Sequence, residues 1–431
     1  MKLILQYLLN LLAKRVLKKY HPEIIGVTGS VGKTSTKEAI FAVLANRFRA
    51  RRNIKNYNNE IGLPLTILGE ETGGRSFFRW LVIFGRGLKL LWQRDPAYPE
   101  ILVLEMGADR PGDIQYLTNL APCKVGVVTA VGPAHTEFFQ TVDKVAREKQ
   151  IIITHLKKDG VAVLNADDEK VLAMRPRAAA EVMAFGFNEG ADVRGVEFHV
   201  AQEWEKGFLL SKGVNFKIQH KGSIVPVFLP EVAGTQQAYA ALAGAAVGLK
   251  YGLNLLEIAE ALRNYRPPSS RTHLLPGIKF TTLIDDSYNS SPLAAMAALK
   301  ILAETKVMEG ARRFAVLGDM LELGAYTEGA HFQLGKQAAG LGLDFLVTVG
   351  ERAKLIAQAA EEGGLTENQI TKFAKSEEAG LFLQEKLKPG DLVLIKGSQG
   401  VRMEKIVVEL MAEPARAGEL VCRQDEEWKK K

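Results

Sequence analysis

The sequence contains few cysteines and no long apolar run, and these shortages exclude whole classes of protein. Its 431 residues include only two cysteines, which by themselves form neither a disulfide framework nor a four-cysteine zinc site. No apolar run approaches the roughly 20 residues that a helix needs to span a bilayer. The net charge is only +7, which is weak evidence for nucleic-acid binding. We therefore predict a cytoplasmic protein that binds no nucleic acid.

What the sequence does contain is typical of a globular protein with several domains. Apolar residues make up 47% of the chain and charged residues 24%, which argues against a mainly disordered protein. At about 150 residues per domain, the length indicates two or three domains.

The first 22 residues have the pattern of an amphipathic helix. Apolar residues recur at helical spacing, and Lys14, Arg15, Lys18 and Lys19 gather at its C-terminal end. A secretory signal would carry its charge before an uninterrupted apolar core, so we reject that interpretation. Two alternatives stay open: the helix packs on the body of the protein, which we favour, or it lies on a membrane surface.

Downstream of this helix, short apolar runs alternate with helical patterns. EIIGVTG at 23–29 and GVAVLNADD at 160–168 are among the early strands, and a second series starts with FTTLIDDS at 280–287. Uninterrupted apolar strands separated by helices indicate parallel sheets covered on both faces. Residues 192–229 alternate over shorter stretches, which predicts short antiparallel strands.

The strongest local signal is VTGSVGKTST, residues 27–36, between a predicted strand and a predicted helix. Gly29 and Gly32 let the backbone turn around phosphate groups, which amide N–H groups and the helix N-terminus attract. The Lys33 ammonium can reach the β- and γ-phosphates, and the Thr34 hydroxyl can bind Mg²⁺. The residues expected to contact ATP in this P-loop are Gly29, Ser30, Val31, Gly32, Lys33, Thr34 and Ser35.

Eight further motifs follow the P-loop in order. They are NYNNEIGLPLTIL (56–68), VLEMGADRPGDI (103–114), VGPAHTEFF (131–139), REKQI (147–151), RPPSSR (266–271), IDDSYNSSP (284–292), AVLGDMLELG (315–324) and LIKGSQGVRME (394–404). With this P-loop, they make the chain resemble the Mur ligase family, ATP-dependent enzymes that build the peptide stem of the bacterial cell wall. The last four motifs resemble the branch that adds D-alanyl-D-alanine to a UDP-linked muramoyl tripeptide. The resemblance covers roughly residues 23–410.

The fold class and the domain limits follow from these patterns together. We predict an α/β protein with a P-loop parallel-sheet ATPase domain and a Rossmann-like α/β domain after it. Paired prolines and serines in RPPSSR mark the boundary. The chain then divides into an N-terminal helix (1–22), a central ATP-binding domain (23–268) and a C-terminal domain (269–431).

The position of Glu105 predicts a metal site, and the resemblance to the family implies further ligands for it. Glu105 ends an apolar strand, and a carboxylate at that edge beside a P-loop suits Mg²⁺, which prefers oxygen ligands. The resemblance implies that Thr34, Glu105 and His135 surround two Mg²⁺ ions. It also implies that Lys149 is a carbamate that binds the second ion, and that Lys33, His135, Lys149 and Arg271 are catalytic.

The resemblance also implies residues for the nucleotide and for the substrates. For the nucleotide these are Asn165, Gln237, Arg271 and Asp286, besides the P-loop. For the substrates they are Asn58, Asn59, Glu60, Tyr288, Asn289, Ser291, Asp319, Lys396 and Ser398.

Several residues depart from the family pattern. Val27 stands where the common P-loop has glycine or alanine. Gln236 and Gln237 replace a histidine–asparagine pair, and Ala240 replaces a second asparagine of the adenine pocket. Family members usually have asparagine where Ser291 stands. Adenine selectivity is therefore expected to differ, whereas the phosphate and metal chemistry is retained.

The resemblance implies an ATP-dependent amide ligase of peptidoglycan precursor synthesis. Its small-molecule substrates would be a (UDP-)muramoyl tripeptide and D-alanyl-D-alanine, which are joined through an acyl phosphate. Two alternatives were weighed against it. One is a folylpolyglutamate synthase-like ligase, which shares the P-loop but matches IDDSYNSSP less well. The other is a non-catalytic scaffold that binds ATP.

The chain differs from the family pattern in two larger segments. Such ligases begin with a domain for the UDP end of the substrate, and the 22 residues before the P-loop strand are too few to bury a core of their own. We therefore expect weakened UDP recognition. Residues 71–96 have the character of an insertion that mixes aromatic and basic side chains. Helices at 3–19 and 77–93 either cover the sheet together or contact a membrane peripherally.

Overall fold

Two separate β-sheets organise the chain. The structure, a computed structural model, describes residues 2–54, 57–205, 208–425 and 428. The first sheet has nine strands in the order β2-β3-β1-β4-β5-β6-β7-β8-β9. These strands are β1 (Glu23–Thr28), β2 (Ala50–Arg52), β3 (Ile101–Glu105), β4 (Val125–Val128), β5 (Val161–Asn165), β6 (Glu181–Gly186), β7 (Val193–Glu205), β8 (Phe208–His220) and β9 (Ser223–Pro230).

The first sheet is parallel over its first seven strands and antiparallel at its end. β2 to β7 run parallel to their neighbours, whereas β8 pairs antiparallel with both β7 and β9. The expectation of short antiparallel strands was wrong in length, since β7 and β8 have 13 residues each. Their pairing contains two register shifts, which interrupt the alternation of inward- and outward-facing side chains. The long strands therefore have the sequence pattern of shorter ones.

Helices cover both faces of the first sheet and bury two apolar clusters. The helices of this part are α1 (Lys2–Tyr20), α2 (Lys33–Ala45), α3 (Gly62–Leu68), α4 (Phe77–Trp92), α5 (Asp113–Leu120), α6 (Thr136–Phe139), α7 (Val142–Thr154), α8 (Glu169–Leu172), α9 (Thr235–Lys250) and α10 (Leu255–Leu262). α2, α9 and α10 contribute to one cluster. α1, α3, α4, α5 and α7 contribute to the other. The predicted α/β class is confirmed.

The second sheet has six strands in the order β10-β11-β15-β12-β13-β14. They are β10 (His273–Pro276), β11 (Thr282–Asp286), β12 (Arg313–Gly318), β13 (Phe345–Val349), β14 (Ile370–Phe373) and β15 (Leu392–Lys396), with helices α11 (Pro292–Glu304), α12 (Thr327–Ala339), α13 (Lys354–Glu362), α14 (Ser376–Lys386), α15 (Glu404–Leu410) and α16 (Ala417–Leu420). Only β10 is antiparallel to its neighbour. The sequence patterns missed β10 and β14, whose four residues each are too few for a reliable period.

Helices α1 and α4 lie side by side against the first sheet. Leu9, Leu12 and Val16 of α1 are buried, and a Cβ on Gly87 of α4 would lie 2.4 Å from Leu12 Cδ2. Lys19 Nζ donates to the carbonyl of Leu90 at 2.9 Å. The favoured prediction, that the N-terminal helix packs on the body of the protein, is therefore confirmed. Within the described residues, every helix is too short or too polar to cross a membrane.

Candidate active site

The P-loop connects β1 to α2 through two glycines in conformations that other residues avoid. Gly29 has φ 154°, and a Cβ there would lie 1.9 Å from Thr129 Oγ1. Gly32 has φ 85° and precedes the first residue of α2. Any side chain at Gly29 would push the 129–132 loop away from the turn. Glycine is therefore required for the close approach of these two loops.

The amide groups at the start of α2 are open toward the P-loop. Of the residues that the structure describes, none caps this helix with its side chain, so the first N–H groups of α2 are available to an anion. The loop is held from the other side, since Ser30 N donates to Ala130 O at 2.7 Å and Thr129 Oγ1 donates to Val31 O at 2.6 Å. Ser35 is buried in the first turn. The turn is thus preformed for phosphate oxygens.

Lys33 folds back over the loop it follows. Its Nζ donates to Gly29 O at 2.8 Å. Burial lowers the pKa of Lys33, and the Glu105 carboxylate opposes that change while Arg271 adds to it. These charges therefore lie close enough to act on one another across the loop.

Glu105 ends β3 as an almost completely buried carboxylate, 5% exposed. Asn58 Nδ2 donates to its Oε1 at 3.1 Å. Its backbone N–H donates to Asn53 Oδ1 at 2.8 Å, an interaction that the sequence motifs did not reveal. Asn59 Oδ1 accepts from Gly62 N at the start of α3, and Glu60 lies half-buried in the same turn. Asn56, the first residue of this motif, lies outside the described residues.

His135 faces two acidic side chains. It adopts φ 55° before α6, and its Nδ1 lies 2.7 Å from Glu322 Oε2 and 3.7 Å from Asp109 Oδ1. His135 holds the pKa of Glu322 below its usual range. Thr136 Oγ1 donates to Leu323 O at 2.8 Å. The turn after β4 therefore joins the loop after β12, so the carboxyl-terminal edges of the two sheets meet here.

Lys149 lies in α7 with 3% of its side chain exposed. Burial and, after it, the positive charge of Lys33 lower the pKa of Lys149 to about 7. Among the described residues, nothing hydrogen-bonds or pairs with its Nζ. The neighbouring Glu148 instead accepts from Gly112 N and Ile114 N at the start of α5. Lys149 is thus a buried amine whose neutral form is populated near pH 7.

The donor set for a metal combines different chemical groups. Within the described ranges, no three His, Cys, Asp or Glu side chains are grouped as a metal site. The Thr34 hydroxyl and the Glu105 carboxylate supply oxygen atoms beside the P-loop. Oxygen is the ligand that Mg²⁺ prefers, and phosphate groups of a nucleotide normally complete its shell. These two residues fit Mg²⁺ bound together with a nucleotide.

Arg271 reaches the P-loop from the linker between the sheets. Its Nη2 donates to Thr34 Oγ1 at 3.2 Å, and its Nε is buried without a hydrogen-bond partner in the part of the chain that the structure describes. An unsatisfied guanidinium N–H beside an open helix N-terminus fits an anionic ligand such as the phosphates of ATP.

Two other residues predicted to contact the nucleotide have protein partners for their amides. Gln237 Oε1 accepts from Tyr265 Oη at 2.5 Å, and its Nε2 donates to Arg271 O. Asn165 Nδ2 donates to Thr129 O at 2.8 Å. The Gln237 amide therefore stabilises the linker at Arg271, and the Asn165 amide stabilises the loop at Thr129 that contacts the P-loop.

The predicted residues of the second sheet lie together at its carboxyl-terminal edge. Lys396 Nζ donates to Asp286 Oδ2 at 2.6 Å and to Asn289 O at 3.0 Å. Ser398 Oγ accepts from Leu321 N. Elsewhere on this edge, Asp319 accepts from Ala353 N, Tyr288 lies beside Arg271, and Ser291 precedes α11 without capping it.

Asn53, Asp109 and Glu322 were not among the predicted site residues. Each meets its partner across a long stretch of sequence: Asn53 binds the backbone of Glu105, and the two acids face His135. Asp109 and Glu322 do lie within recognised motifs, VLEMGADRPGDI and AVLGDMLELG, which was the available signal.

Comparison with known proteins gives consistent matches along the chain. The model of the Mur ligase middle domain matches residues 27–78 and 87–248, and that of the Mur ligase glutamate ligase domain matches residues 270–399. UDP-N-acetylmuramoyl-tripeptide–D-alanyl-D-alanine ligase of Bacillus subtilis is 30% identical over 407 residues, which cover 94% of this chain and 79% of the relative.

Two crystal structures extend the match to the fold. MurF from Acinetobacter baumannii has a TM-score of 0.76 at 26% identity, with 93% of this chain and 79% of the other covered. MurF from Thermotoga maritima in complex with ADP has a TM-score of 0.73 at 28% identity, with 93% and 82% covered.

Proposed function

Because the chain belongs to the Mur ligase family, we propose that it is an ATP-dependent ligase that joins D-alanyl-D-alanine to a muramoyl tripeptide. The relatives that carry this activity in their names match over most of both chains. The observation that carries the proposal is the preformed P-loop, with Lys33 folded over it and Arg271 aimed at Thr34. We also propose the domain limits 1–22, 23–268 and 269–431.

The proposed reaction has two steps. The γ-phosphoryl group of ATP passes to a carboxylate oxygen of the tripeptide, and ADP leaves. The dipeptide ammonium loses one proton, and the resulting amine attacks the acyl carbon. The bond to phosphate then breaks, the nitrogen releases a second proton to solvent, and an amide and phosphate form. Lys33, Arg271 and the open amides of α2 offset the charge on the transferring group by fixed electrostatics.

Bound Mg²⁺ would neutralise phosphate charge during this transfer. We propose Thr34 and Glu105 as its ligands, with His135 and a carbamate on Lys149 serving a second ion. Support for the carbamate is the burial of Lys149 and its low pKa, because only a neutral amine adds CO₂. Carbamylation would turn a buried amine into an anion beside Lys33.

The edge of the second sheet is proposed to receive the dipeptide, while Asp286 contacts the nucleotide. The residues proposed to bind substrates are Tyr288, Asn289, Ser291, Asp319, Lys396 and Ser398 on this edge, and Asn58, Asn59 and Glu60 on the other. The contact between the His135 turn and the Glu322 loop supports this division, because it brings the two edges together.

The test is phosphate release by the purified chain with ATP and Mg²⁺, omitting one substrate at a time. We expect release to require both UDP-muramoyl tripeptide and D-alanyl-D-alanine. Tripeptide stripped of UDP measures how far recognition depends on the nucleotide end. Phosphate release that does not require the dipeptide would contradict the ligase and indicate an ATPase. No release with all substrates present would leave the non-catalytic ATP-binding scaffold.

The carbamate has a separate test in Lys149→Ala. We expect the variant to be nearly inactive and to regain part of its activity with formate or acetate, because a small carboxylate can enter the vacated space. The exposed Lys157→Ala is the matched control and should be unaffected. Full activity of Lys149→Ala would show that the lysine is not a metal-binding carbamate.

We further propose that the enzyme works in the cytoplasm and contacts anionic membranes through α1 and α4. Ten of the nineteen large apolar side chains that the described residues expose lie on these helices. They are Leu3, Ile4, Tyr7, Leu8, Phe77, Phe78, Leu81, Val82, Leu88 and Trp92. An exposed apolar patch of this extent is a sign of an interaction surface.

The charge on the two helices specifies the partner. α1 and α4 carry eight basic residues and no acidic one, so the rest of the chain has 48 basic against 49 acidic residues. All of the net positive charge of the protein is thus accounted for by these two helices. This combination fits anionic lipid, to which each cation near the surface contributes about 1 kcal/mol.

Co-sedimentation with lipid vesicles tests this contact without requiring activity. We expect the wild type to bind phosphatidylglycerol-containing vesicles, to ignore neutral ones, and to dissociate at high salt. Phe78→Ser with Trp92→Ser should lose binding. The matched control, Leu256→Ser with Leu381→Ser, removes exposed leucines elsewhere and should keep it. Equal binding by both double variants, or none by the wild type, would refute the contact.

A further inference from the structure

The Tyr288 ring lies within reach of two guanidinium groups. Arg271 Cζ is 4.2 Å and Arg423 Cζ is 4.9 Å from the ring centroid. Both distances are within the range of cation–π attraction. Arg271 is also the residue that donates to Thr34 in the P-loop. The ring therefore connects the C-terminal segment with the arginine that reaches the nucleotide site.

Arg423 is fastened to the loop that carries Tyr288. Its Nη2 donates to the carbonyl of Tyr288 itself, and its Nη1 donates to Ser287 O at 3.4 Å. The guanidinium is almost completely buried. One arginine thus holds the ring and its backbone together, which fixes the ring more firmly than stacking alone.

The same segment is bonded to the residue before Arg271. Cys422 N donates to Ser270 Oγ at 3.0 Å, and Ser270 Oγ donates to the buried carboxylate of Asp285 at 2.7 Å. The C-terminal segment therefore contacts Arg271 from two sides, through its backbone neighbour and through Tyr288.

Charge balance alone does not account for the position of Arg423. Glu404 is 1% exposed and is already paired with Arg402, while Arg423 Nη1 lies 3.4 Å from its Oε2. Among the described residues, Glu404 thus faces the buried Arg423 and the half-buried Arg402, and one carboxylate does not balance both cations. The contacts of Arg423 with the Tyr288 ring and with the carbonyls of Ser287 and Tyr288 offset the cost of this imbalance.

We infer that Arg423 is a positioning residue that, through Tyr288, holds Arg271 against the P-loop. The inference rests on the proposed role of Arg271 in nucleotide chemistry. Arg423 lies beyond residues 270–399, where the family model for the second half of the chain matches. Its effect on the nucleotide site passes through Arg271, so the two arginines are expected to behave as one unit in nucleotide chemistry.

The test is a double-mutant cycle between Arg423→Met and Arg271→Ala. Methionine keeps an apolar stem and leaves Arg402 and Glu404 as a balanced pair, so the fold should survive. We expect Arg423→Met to lower kcat about tenfold with a smaller change in KM for ATP, and to cause no further loss in the Arg271→Ala background. Arg416→Met, at an exposed arginine in the same segment, is the control.

Two further measurements keep the inference falsifiable. Arg423→Lys keeps a cation but loses the two-nitrogen contact of the guanidinium, so it should be more active than Arg423→Met. It replaces Arg423→Met in the cycle if that variant does not fold. Titrating the same variants with a fluorescent ATP analogue gives a double-mutant cycle for nucleotide affinity that needs no turnover. This measurement would therefore stand even if the ligase proposal failed. Independent losses from the two arginines in both measurements would overturn the inference.

Discussion

The carboxyl-terminal edges of the two sheets meet, yet they treat their polar groups in opposite ways. Beside the first edge, Arg271 Nε is buried without a hydrogen-bond partner among the described residues, and no side chain of those residues caps the N-terminus of α2. On the second edge, Lys396 is paired with Asp286 and Ser398 accepts from a backbone amide.

This difference indicates separate roles for the two edges. Buried polar groups without partners are costly unless a ligand satisfies them, so the first edge is built to receive anions. The second edge is stabilised by its own pairs and supplies a rigid surface. Substitutions on the first edge should therefore reduce activity more than stability, and those on the second should reduce both.

The largest expected effect is that of Lys33→Ala. The variant loses the ammonium that offsets charge on the transferring phosphoryl group, so kcat should fall about 10²- to 10³-fold. The melting temperature should stay close to that of the wild type, because among the described residues the Lys33 ammonium donates only to Gly29 O of its own loop. Lys157→Ala is the control for both measurements. Near-normal ADP production by Lys33→Ala would contradict the assignment of the P-loop.

A smaller effect, on stability, is expected for Lys396→Met. The substitution leaves Asp286 charged in a largely buried position, which should cost about 3 kcal/mol, the lower end for breaking a buried ion pair. Adding Asp286→Asn should recover much of the loss, since neither charge then remains. Thermal unfolding of the two variants measures this. A neutral effect of Lys396→Met would remove the contrast between the edges.

The pH dependence of activity should show a smaller effect than Lys33→Ala. With a pKa of about 7 for Lys149, the neutral fraction rises about tenfold from pH 6 to pH 8, and carbamate-dependent activity should rise with it. Between pH 7 and 10.5 the unfolded chain binds more protons, so the free energy of unfolding should also rise with pH. Lys149→Met should flatten that rise. An equal rise in the variant would exclude Lys149 as its origin.

The local parts of this site could be predicted from the sequence, whereas the long-range contacts could not. The P-loop turn, the strand ending at Glu105 and the linker arginine are each contained in a short motif. The contact of Arg271 with Thr34 joins residues 237 positions apart, and no period or spacing encodes it. Gln237 was expected to face adenine because its motif position suggested so, but Tyr265 and the linker occupy its amide.

For helices α1 and α4, the sequence likewise predicted the local structure but not the packing. Helical periods predicted α1 and α4, and both are present. The sequence left open whether they pack together or face a membrane. In the fold each helix buries one side and exposes the other, so the two alternatives are compatible, which only the packing reveals.

The central claim is that ATP activates a substrate carboxylate at the edge of the first sheet. It is tested most directly with tripeptide whose reacting carboxylate carries ¹⁸O at both oxygens. An acyl phosphate transfers one carboxylate oxygen to phosphate when the dipeptide amine displaces it, so we predict one ¹⁸O atom in each phosphate released together with amide. Amide formation with unlabelled phosphate would contradict the account.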